Sequence, residues 1–540
     1  MKPNLSLLFV VCILVSLLSS CSKDDEALLN QLRSQKEEIE NIQKELPGAS
    51  EPVPGISITF DKDYYWVDAA ESVTAHYTTR RPATVTAEAG QGWTVNVTAT
   101  GDTEGDIVIS APDPASPGIL TVKAVDAGGN SEETFLQVFV RKPYGKVASP
   151  QIDVHAYFGF SDDLARPDNF QKLVEAGVTM LTVEGDWEPS LDWRKQCRLA
   201  EEFGIKVILF IGGSAGNYSA DPEHDKTLEN KVLEAITYPA VYAFQIYDEP
   251  STREAALIKT AKDKIEELAP GYPVYINLNP SGGSQWGMGA LTYEAYVEYF
   301  AQCCDLTFIT FDQYPTWVWG IEDGWYHSLN VVRDVSRRHG IPFWAFILSC
   351  REMLRVDPTL ETIRLQGNIN VAYGAQCNQY FVWRNTSGTD YCPLVSGRAR
   401  QKDGTYVDFP EHYTQVYDDC KEYDRELHNR EFVFAGCDVR KVRHIGYDYY
   451  LHGECLIPAD LPAAISGITS DGSALVSFIG NSGNEYLVIC NKTYLHKLNV
   501  EVGFNRAVYT IDRDGGFAQQ QPGTAGFSID EGDMLVIKWK

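Results

Sequence analysis

The central part of the chain alternates between short apolar segments and longer amphipathic segments. The apolar segments predict buried strands. The amphipathic segments, in which apolar residues recur every three or four positions, predict helices. The predicted strands are 154–160, 179–183, 206–211, 241–247, 274–278, 306–311, 343–348 and 379–383. The predicted helices are 169–176, 191–203, 227–236, 252–268, 293–303, 324–338, 359–373 and 413–427.

This alternation predicts one parallel sheet, because strands covered by helices on both faces read as nearly continuous apolar runs. Eight strand–helix units are the number in a closed (β/α)8 barrel, which we therefore predict for residues 146–438. An open doubly wound sheet is the alternative. Such a sheet normally carries a Gly-rich phosphate-binding loop after a strand, and the nearest candidate, residues 212–216, lacks the Lys and the spacing.

Both flanks of the predicted barrel have short alternating strands separated by turn residues. The spacing within residues 56–145 predicts an immunoglobulin-like β-sandwich, which we interpret as a spacer. Residues 439–540 predict a second, smaller β-sandwich. The fold class is therefore a multidomain protein with two β-sandwiches around a central barrel.

The first twenty residues predict a signal peptide rather than a part of the fold. Lys2 precedes an apolar segment over 5–18, and small residues lead directly to Cys21. This arrangement resembles a bacterial lipoprotein signal, which implies that Cys21 carries lipid. An ordinary secretory signal with an incidental Cys is the alternative. Residues 21–55 then predict a tether with a short helix.

The polar and acidic residues 22–26 resemble the export tag of surface lipoproteins in glycan-degrading Gram-negative bacteria. We therefore expect an outer-membrane lipoprotein that is exposed on the cell surface or faces the periplasm. The chain has 46 Lys and Arg against 74 Asp and Glu, a net charge of −28. This balance argues against nucleic acid as a partner, because few groups would neutralise phosphates. No C-x-x-C pair is present, so we expect no zinc ribbon, and no metal or other cofactor.

Carboxylates and aromatic residues dominate the ends of the predicted barrel strands, where barrel active sites lie. Glycoside cleavage needs such groups, since it uses two carboxyl groups, and the apolar faces of sugars stack on aromatic rings. No His cluster for a catalytic metal competes with this interpretation. The candidate catalytic residues are Glu249, Asp312 and Glu352; the candidate glycan-binding residues are Glu184, Asp248, Tyr314, Trp317, Trp319, Trp383 and Asn385.

Two of these motifs resemble those of a known group. Tyr247-Asp248-Glu249-Pro250 resembles the N-E-P or D-E-P signature of the retaining (β/α)8 glycoside hydrolases. Asp312-Gln313-Tyr314-Pro315 resembles the D-x-Y-P of relatives of the family-42 β-galactosidases. The resemblance covers roughly residues 150–540 and implies a glycosidase in which Glu249 is the acid/base.

One position departs from this group, in which a Glu at the end of the seventh strand is the nucleophile. Here Ser349-Cys350 occupies that place, and Glu352 follows slightly later. Either Glu352 serves after a shift of register, or Asp312 is the second carboxylate, or catalysis is lost. A glycan-binding lipoprotein without catalysis is thus the alternative function, and an anchored scaffold protein without a sugar site is a third.

Overall fold

The structure is a computed structural model. It describes residues 56–62, 64–67, 70–90, 92–111, 118–140, 149–161, 163–185, 192–218, 222–322, 324–352, 354–385, 391–400, 405–446 and 454–539. The predicted signal peptide, Cys21 and the tether lie outside the described residues.

The N-terminal part forms two four-stranded sheets that share one apolar core. Its strands are β1 Ile58–Phe60, β2 Tyr64–Val67, β3 Ser72–Thr79, β4 Ala83–Ala89, β5 Thr94–Ala99, β6 Glu104–Ser110, β7 Gly118–Asp126 and β8 Ser131–Val140. The sheet orders are β1-β3-β6-β5 and β2-β8-β7-β4. In β6, Ile107 and Ile109 point inward while Val108 between them is exposed, as the two-residue period of a half-buried strand requires. The immunoglobulin-like class of this sandwich stays a prediction.

Ten strands follow in the central part. They are β9 Asp153–Ala156, β10 Met180–Glu184, β11 Lys206–Phe210, β12 Val241–Asp248, β13 Val274–Leu278, β14 Ile309–Phe311, β15 Thr316–Trp317, β16 Gly320–Ile321, β17 Phe343–Leu348 and β18 Cys377–Phe381. All but β15 and β16 pair in parallel and close into one barrel, in the order β9 to β14, β17, β18. The predicted eight-stranded barrel is confirmed, and closure excludes the doubly wound sheet.

The helices surround this barrel. They are α1 Pro167–Glu175, α2 Trp193–Phe203, α3 Gly212–Gly216, α4 Pro222–Ala235, α5 Ala255–Leu268, α6 Gln285–Met288, α7 Tyr293–Cys303, α8 Gly324–His339, α9 Leu360–Tyr373, α10 Gln415–Asn429 and α11 Glu431–Phe434. Caps set several of their ends. The Asp192 side chain accepts hydrogen bonds from the first amides of α2, and Gly204 ends that helix with a φ of 69°.

Two antiparallel hairpins extend the loops of the barrel and were absent from the prediction. One is β15–β16, directly after β14. The other pairs β19 Leu394–Arg400 with β20 Tyr406–Tyr413 between the eighth strand and its helix. The first barrel strand ends at Ala156 rather than at residue 160, and the eighth ends at Phe381 rather than at residue 383. These shifts change which side chains stand at the strand ends.

The C-terminal part is a second two-sheet β structure. Its strands are β21 Asp438–Ile445, β22 Ile465–Ser470, β23 Ala474–Asn481, β24 Asn484–Asn491, β25 Leu498–Phe504, β26 Val508–Ile511, β27 Phe517–Gln520, β28 Gly523–Ile529 and β29 Met534–Trp539. The sheet orders are β21-β23-β24-β29-β26-β27 and β22-β25-β28. Short 3-10 turns lie at Thr252–Glu254 and Pro458–Asp460.

The C-terminal sandwich packs on helix α9, whose residues 362–373 are all buried. The Asn368 side chain donates to the carbonyl of Gly532 at 3.0 Å, and the Ser477 hydroxyl donates to the carbonyl of Ala372 at 2.6 Å. Leu475 and Val488 of the sandwich belong to the same apolar core as the barrel. Helix α9 is therefore covered by the barrel on one side and by the sandwich on the other.

The N-terminal sandwich contacts the flank of the barrel at helices α7 and α8. The Tyr64 hydroxyl donates to the carboxylate of Glu294, and the Arg338 guanidinium lies 5.0 Å from the ring centre of Trp66. Phe139 is fully buried within the barrel's apolar core. Among the described helices, none combines the length and the apolar character needed to cross a bilayer.

Candidate functional site

Three carboxyl groups meet at the carboxyl-terminal end of the barrel. Asp248 is the last residue of β12, Glu249 follows it, and Asp312 follows β14. Asn277 on β13 lies between them, and its Nδ2 donates to Asp248 Oδ1 at 3.1 Å and to Asp312 Oδ1 at 2.7 Å. Two oxygens that each hydrogen-bond one nitrogen at about 3 Å are at most about 6 Å apart. The structure thus brings Asp248 and Asp312 together across one amide.

A hydrogen-bonded chain in the barrel interior orients that amide. Thr310 Oγ1 donates to Asn277 Oδ1 at 3.3 Å, so the nitrogen of Asn277 is the atom that faces the carboxylates. Gln379 Nε2 donates to Thr310 Oγ1 at 2.7 Å, and Gln379 Oε1 accepts from the Tyr275 hydroxyl at 2.9 Å. Because these side chains are buried and their hydrogen bonds polarise one another, the Asn277 amide that bridges Asp248 and Asp312 is held in one orientation.

Glu249 stands in a left-handed turn, with a φ of 47°. This conformation is unfavourable by about 1–2 kcal/mol for a residue with a Cβ. Neighbouring groups hold it in place: the Glu249 amide donates to the carbonyl of Asn277 at 2.8 Å, and Asn279 Nδ2 donates to the carbonyl of Glu249 at 2.9 Å. Such strain is typical of functional positions, where the surroundings maintain a conformation that serves the site.

The environment favours the protonated forms of all three carboxyl groups. Burial raises the pKa of Asp312 to about 8, and the negative charges of Glu249 and Asp248 act in the same direction. Burial, followed by the charge of Asp248, also raises the pKa of Glu249. Burial raises the pKa of Asp248, although the hydrogen bond from Asn277 opposes this. At neutral pH the site therefore holds a proton on Asp312 beside other carboxyl groups.

Glu352 pairs with a cation, whereas Asp248 and Asp312 share the Asn277 amide. The Glu352 carboxylate pairs with Arg355 Nε at 3.8 Å, and Arg355 also contacts Glu322 at 3.8 Å. At the end of the seventh barrel strand, Ser349 and Cys350 are fully buried, with Cys350 in an apolar cluster that includes Leu348, Val382, Cys392 and Val395. The role of Glu352 as a second catalytic carboxylate stays a prediction, and its observed partner is Arg355.

The two Trp residues after β14 form a stacked platform at the rim. The rings of Trp317 and Trp319 lie 4.7 Å apart with an angle of 16° between their planes. The Arg355 guanidinium lies 3.4 Å from the ring centre of Trp317, on which it stacks, while Trp319 is 67% exposed. Since Trp317 has a partner for each of its faces, the free ring face for a sugar belongs to Trp319.

The remaining predicted residues divide between partly exposed positions and the core. Tyr314 is partly exposed, and burial followed by the charge of Asp312 raises its pKa well above 10. Glu184 ends β10 and is also partly exposed. Trp383 is fully buried against Tyr380 and Tyr417, so it cannot offer a ring face to a sugar. Asn385 is likewise buried, and its Oδ1 accepts from the amide of Ser396 at 2.7 Å.

Sequence analysis missed two residues of the site, Tyr157 and Asn277. Tyr157 follows β9 directly, and the charges of Asp248, Asp312 and Glu184 act on its hydroxyl. The sequence feature that could have identified Tyr157 was its position near the end of an apolar strand. Within the described residues, no group of three or more His, Cys, Asp and Glu side chains could hold a metal ion.

Comparison with known proteins shows a likeness of fold. A catalytic mutant of a GH42 beta-galactosidase from G. stearothermophilus is 10% identical, with a TM-score of 0.50, and the alignment covers 74% of this chain and 99% of that one. A family 39 glycoside hydrolase from the gut symbiont Bacteroides cellulosilyticus WH2 is 11% identical, with a TM-score of 0.43 and coverage of 90% and 100%. No protein-family model and no curated protein matches the chain. The chain thus shares the (β/α)8 fold of solved glycoside hydrolases.

Proposed function

We propose that the protein is a glycoside hydrolase whose catalytic carboxyl groups are Asp312 and Glu249. The observation that carries this proposal is the meeting of Asp312 with Glu249 and Asp248 at the carboxyl-terminal end of the barrel, where Asn277 bridges two of the three. The exposed ring of Trp319 at the same rim supports a sugar substrate. Galactosides are the first substrates to test, because Asp312-Gln313-Tyr314-Pro315 resembles the D-x-Y-P of relatives of the family-42 β-galactosidases.

The two carboxyl groups would divide the chemistry between them. One carboxylic acid must protonate the leaving oxygen, and one carboxylate must attack the anomeric carbon or activate water. The resemblance assigns the acid to Glu249. The pKa of about 8 instead favours Asp312 as the group that holds the proton at neutral pH, which leaves the role of the second carboxylate to Glu249.

A series of aryl glycosides with different leaving groups separates these roles. The variant that has lost the acid should be slowed by about 10²–10⁴-fold on poor leaving groups and much less on activated ones. The variant that has lost the second carboxylate should be slow on the whole series. We expect the first behaviour from Asp312→Asn and the second from Glu249→Gln, and the reverse would restore Glu249 as the acid. Glu352→Gln is the matched control, since Glu352 pairs with Arg355 and not with the Asn277 amide.

A glycan-binding protein without catalysis is the second candidate function. The observation that favours it is the buried, apolar end of the seventh barrel strand, at Ser349 and Cys350, where the resembling hydrolases carry a Glu. A glycan-array screen followed by product analysis distinguishes the two. Binding without cleavage by the wild-type protein would replace the hydrolase proposal with this one.

We also propose that the protein is a lipoprotein anchored through Cys21 to the outer membrane, where it meets its glycan substrate. The small residues before Cys21 and the acidic residues after it support this. Multiple acyl chains give stable membrane binding, so the wild-type protein should remain with membranes after a salt wash. Cys21→Ala should release it into the soluble fraction. A variant that stays wholly with the membranes would contradict the proposal.

A further inference from the structure

Tyr157 is held rigidly at the end of the first barrel strand. Its amide donates to the carbonyl of Tyr380 at 3.1 Å, and its carbonyl accepts from the amide of Trp383 at 3.0 Å. Its ring is mostly buried, with the ring centres of Phe158 at 4.9 Å and Phe346 at 5.4 Å. Backbone and ring are thus both fixed, so the position of the hydroxyl is set by the fold.

The hydroxyl oxygen of Tyr157 accepts a hydrogen bond, and its hydrogen has no acceptor among the residues that the structure describes. Gln245 Nε2 donates to this oxygen at 2.7 Å. A hydroxyl that accepts from an amide still has its own hydrogen to donate. Gln245 is fully buried, and within the described residues its Oε1 has no hydrogen-bond partner. This part of the barrel interior therefore contains a hydrogen-bond acceptor that the described protein groups do not satisfy.

The charged groups around this hydroxyl are Asp248, Asp312 and Glu184. Burial, followed by the charges of these groups, raises the pKa of Tyr157 far above 10, so the hydroxyl stays protonated. An ionised carboxylate only accepts hydrogen bonds, whereas a sugar hydroxyl both donates and accepts. Apart from the proton on Asp312, which the proposed mechanism directs to the leaving oxygen, these groups offer a sugar only acceptors when ionised, so its other oxygens need a donor.

We infer that Tyr157 is a substrate-binding residue that donates its hydroxyl hydrogen to one sugar oxygen in the carboxylate site. The inference rests on the proposed function, since it requires a glycan in the site. Gln245 acts as a positioning residue: its amide donates to the hydroxyl oxygen of Tyr157, so the hydroxyl hydrogen of Tyr157 points away from Gln245. Substrate recognition at this end of the barrel thus combines the carboxyl groups of Asp248, Asp312 and Glu184 with a neutral donor from the first strand.

The test compares Tyr157→Phe with the wild-type protein on a glycan found by the screen and on its monodeoxy analogues. The loss of one neutral hydrogen bond should weaken binding about two- to tenfold. In the wild-type protein, one deoxy analogue should bind correspondingly worse than the parent. In Tyr157→Phe that same analogue should bind as well as the parent, since the two losses concern one hydrogen bond and do not add. Calorimetry on a Glu249→Gln background measures binding without turnover.

Two further variants keep the result interpretable. Tyr157→Phe combined with Gln245→Leu removes both partners of the buried hydrogen bond, and such a pair is tolerated better than one orphaned group. Tyr242→Phe is the matched control, because Tyr242 lies near the start of β12, at the opposite end of the barrel. The control should bind like the wild-type protein.

Each outcome bears on a different statement. A Tyr157→Phe protein that binds as tightly as the wild type would overturn the inference and leave the proposed function intact. So would losses that add for every deoxy analogue, because the hydroxyl would then act through packing alone. A wild-type protein that neither binds nor cleaves any glycan would overturn the proposed function and this inference together.

Discussion

The proton on Asp312 has a measurable consequence for the stability of the protein. We expect Asp312→Asn to become more stable relative to the wild type as the pH rises from about 4 to about 8. The carboxyl group titrates at 3.8 in its ordinary state and at about 8 in the folded protein. As the pH rises through this interval the unfolded chain ionises first, so the unfolded state binds fewer protons and the wild type loses stability. Above about pH 8 both states are ionised and the loss is complete.

The magnitude follows from the change in pKa. Each tenfold change in an acid constant is worth about 1.4 kcal/mol. The full difference between 3.8 and about 8 would exceed 5 kcal/mol, and partial exposure of the side chain reduces it to about 3 kcal/mol. Asparagine retains an oxygen that can accept from Asn277, so the bridging hydrogen bond survives. At low pH the two proteins should therefore differ little.

The assay is urea unfolding between pH 4 and pH 9 on a soluble Cys21→Ala background. The free energy of unfolding of Asp312→Asn minus that of the wild type should be near zero at pH 4, rise to about 3 kcal/mol by pH 8, and then level off. Asp418→Asn is the matched control, since Asp418 is exposed in the first turn of α10. A difference that is constant with pH, or that falls as the pH rises, would refute the placement of the proton on Asp312.

Three further changes test other parts of the site. Glu249→Gly should be more stable than Glu249→Ala by about 1 kcal/mol, because glycine adopts the left-handed turn without the Cβ penalty. Urea unfolding checks this, and a more stable Ala variant would contradict the backbone strain at residue 249. Asn277→Ala should shift the alkaline limb of the pH profile of kcat/KM to higher pH, because the hydrogen bonds from Asn277 lower the pKa values of Asp312 and Asp248. A shift to lower pH would be inconsistent with the bridging role of the Asn277 amide. Trp319→Ala should weaken the binding of long oligosaccharides several-fold more than that of short ones in calorimetry, and equal losses would argue against a rim platform.

Much of the barrel could be predicted from the sequence, because its strands are buried on both faces and its helices keep a strong period. The fourth strand shows this best: its end, and hence the position of Asp248 and Glu249, follows from the apolar run before them. The sixth strand likewise predicted the position of Asp312. Local patterns were sufficient at these two places, since the polar residue comes directly where the apolar run stops.

The errors arose where an apolar run continues beyond its strand. Residues 157–160 are apolar enough to continue the first strand, so Tyr157 was placed within it, whereas the strand ends at Ala156. The eighth strand ends two residues earlier than predicted. Trp383 therefore turns into the core between β18 and α10 instead of facing the carboxyl groups at the barrel end. The pairing of Glu352 with Arg355, three residues later, is local. The hydrogen bond from the Val356 amide to the carbonyl of Thr316 in the β15–β16 hairpin, in contrast, joins two loops and is reported by no local pattern.

Helix α9 has a further consequence for how such a protein can evolve. A helix that is buried on every side cannot exchange one of its neighbours for solvent without exposing apolar surface. The gene segments for the barrel and the C-terminal sandwich should therefore recombine only as a unit. Exchange of whole domains should be tolerated only at domain boundaries that do not include α9. Chimeras that join this barrel to a foreign C-terminal sandwich should aggregate unless the residues facing α9 are transplanted with it.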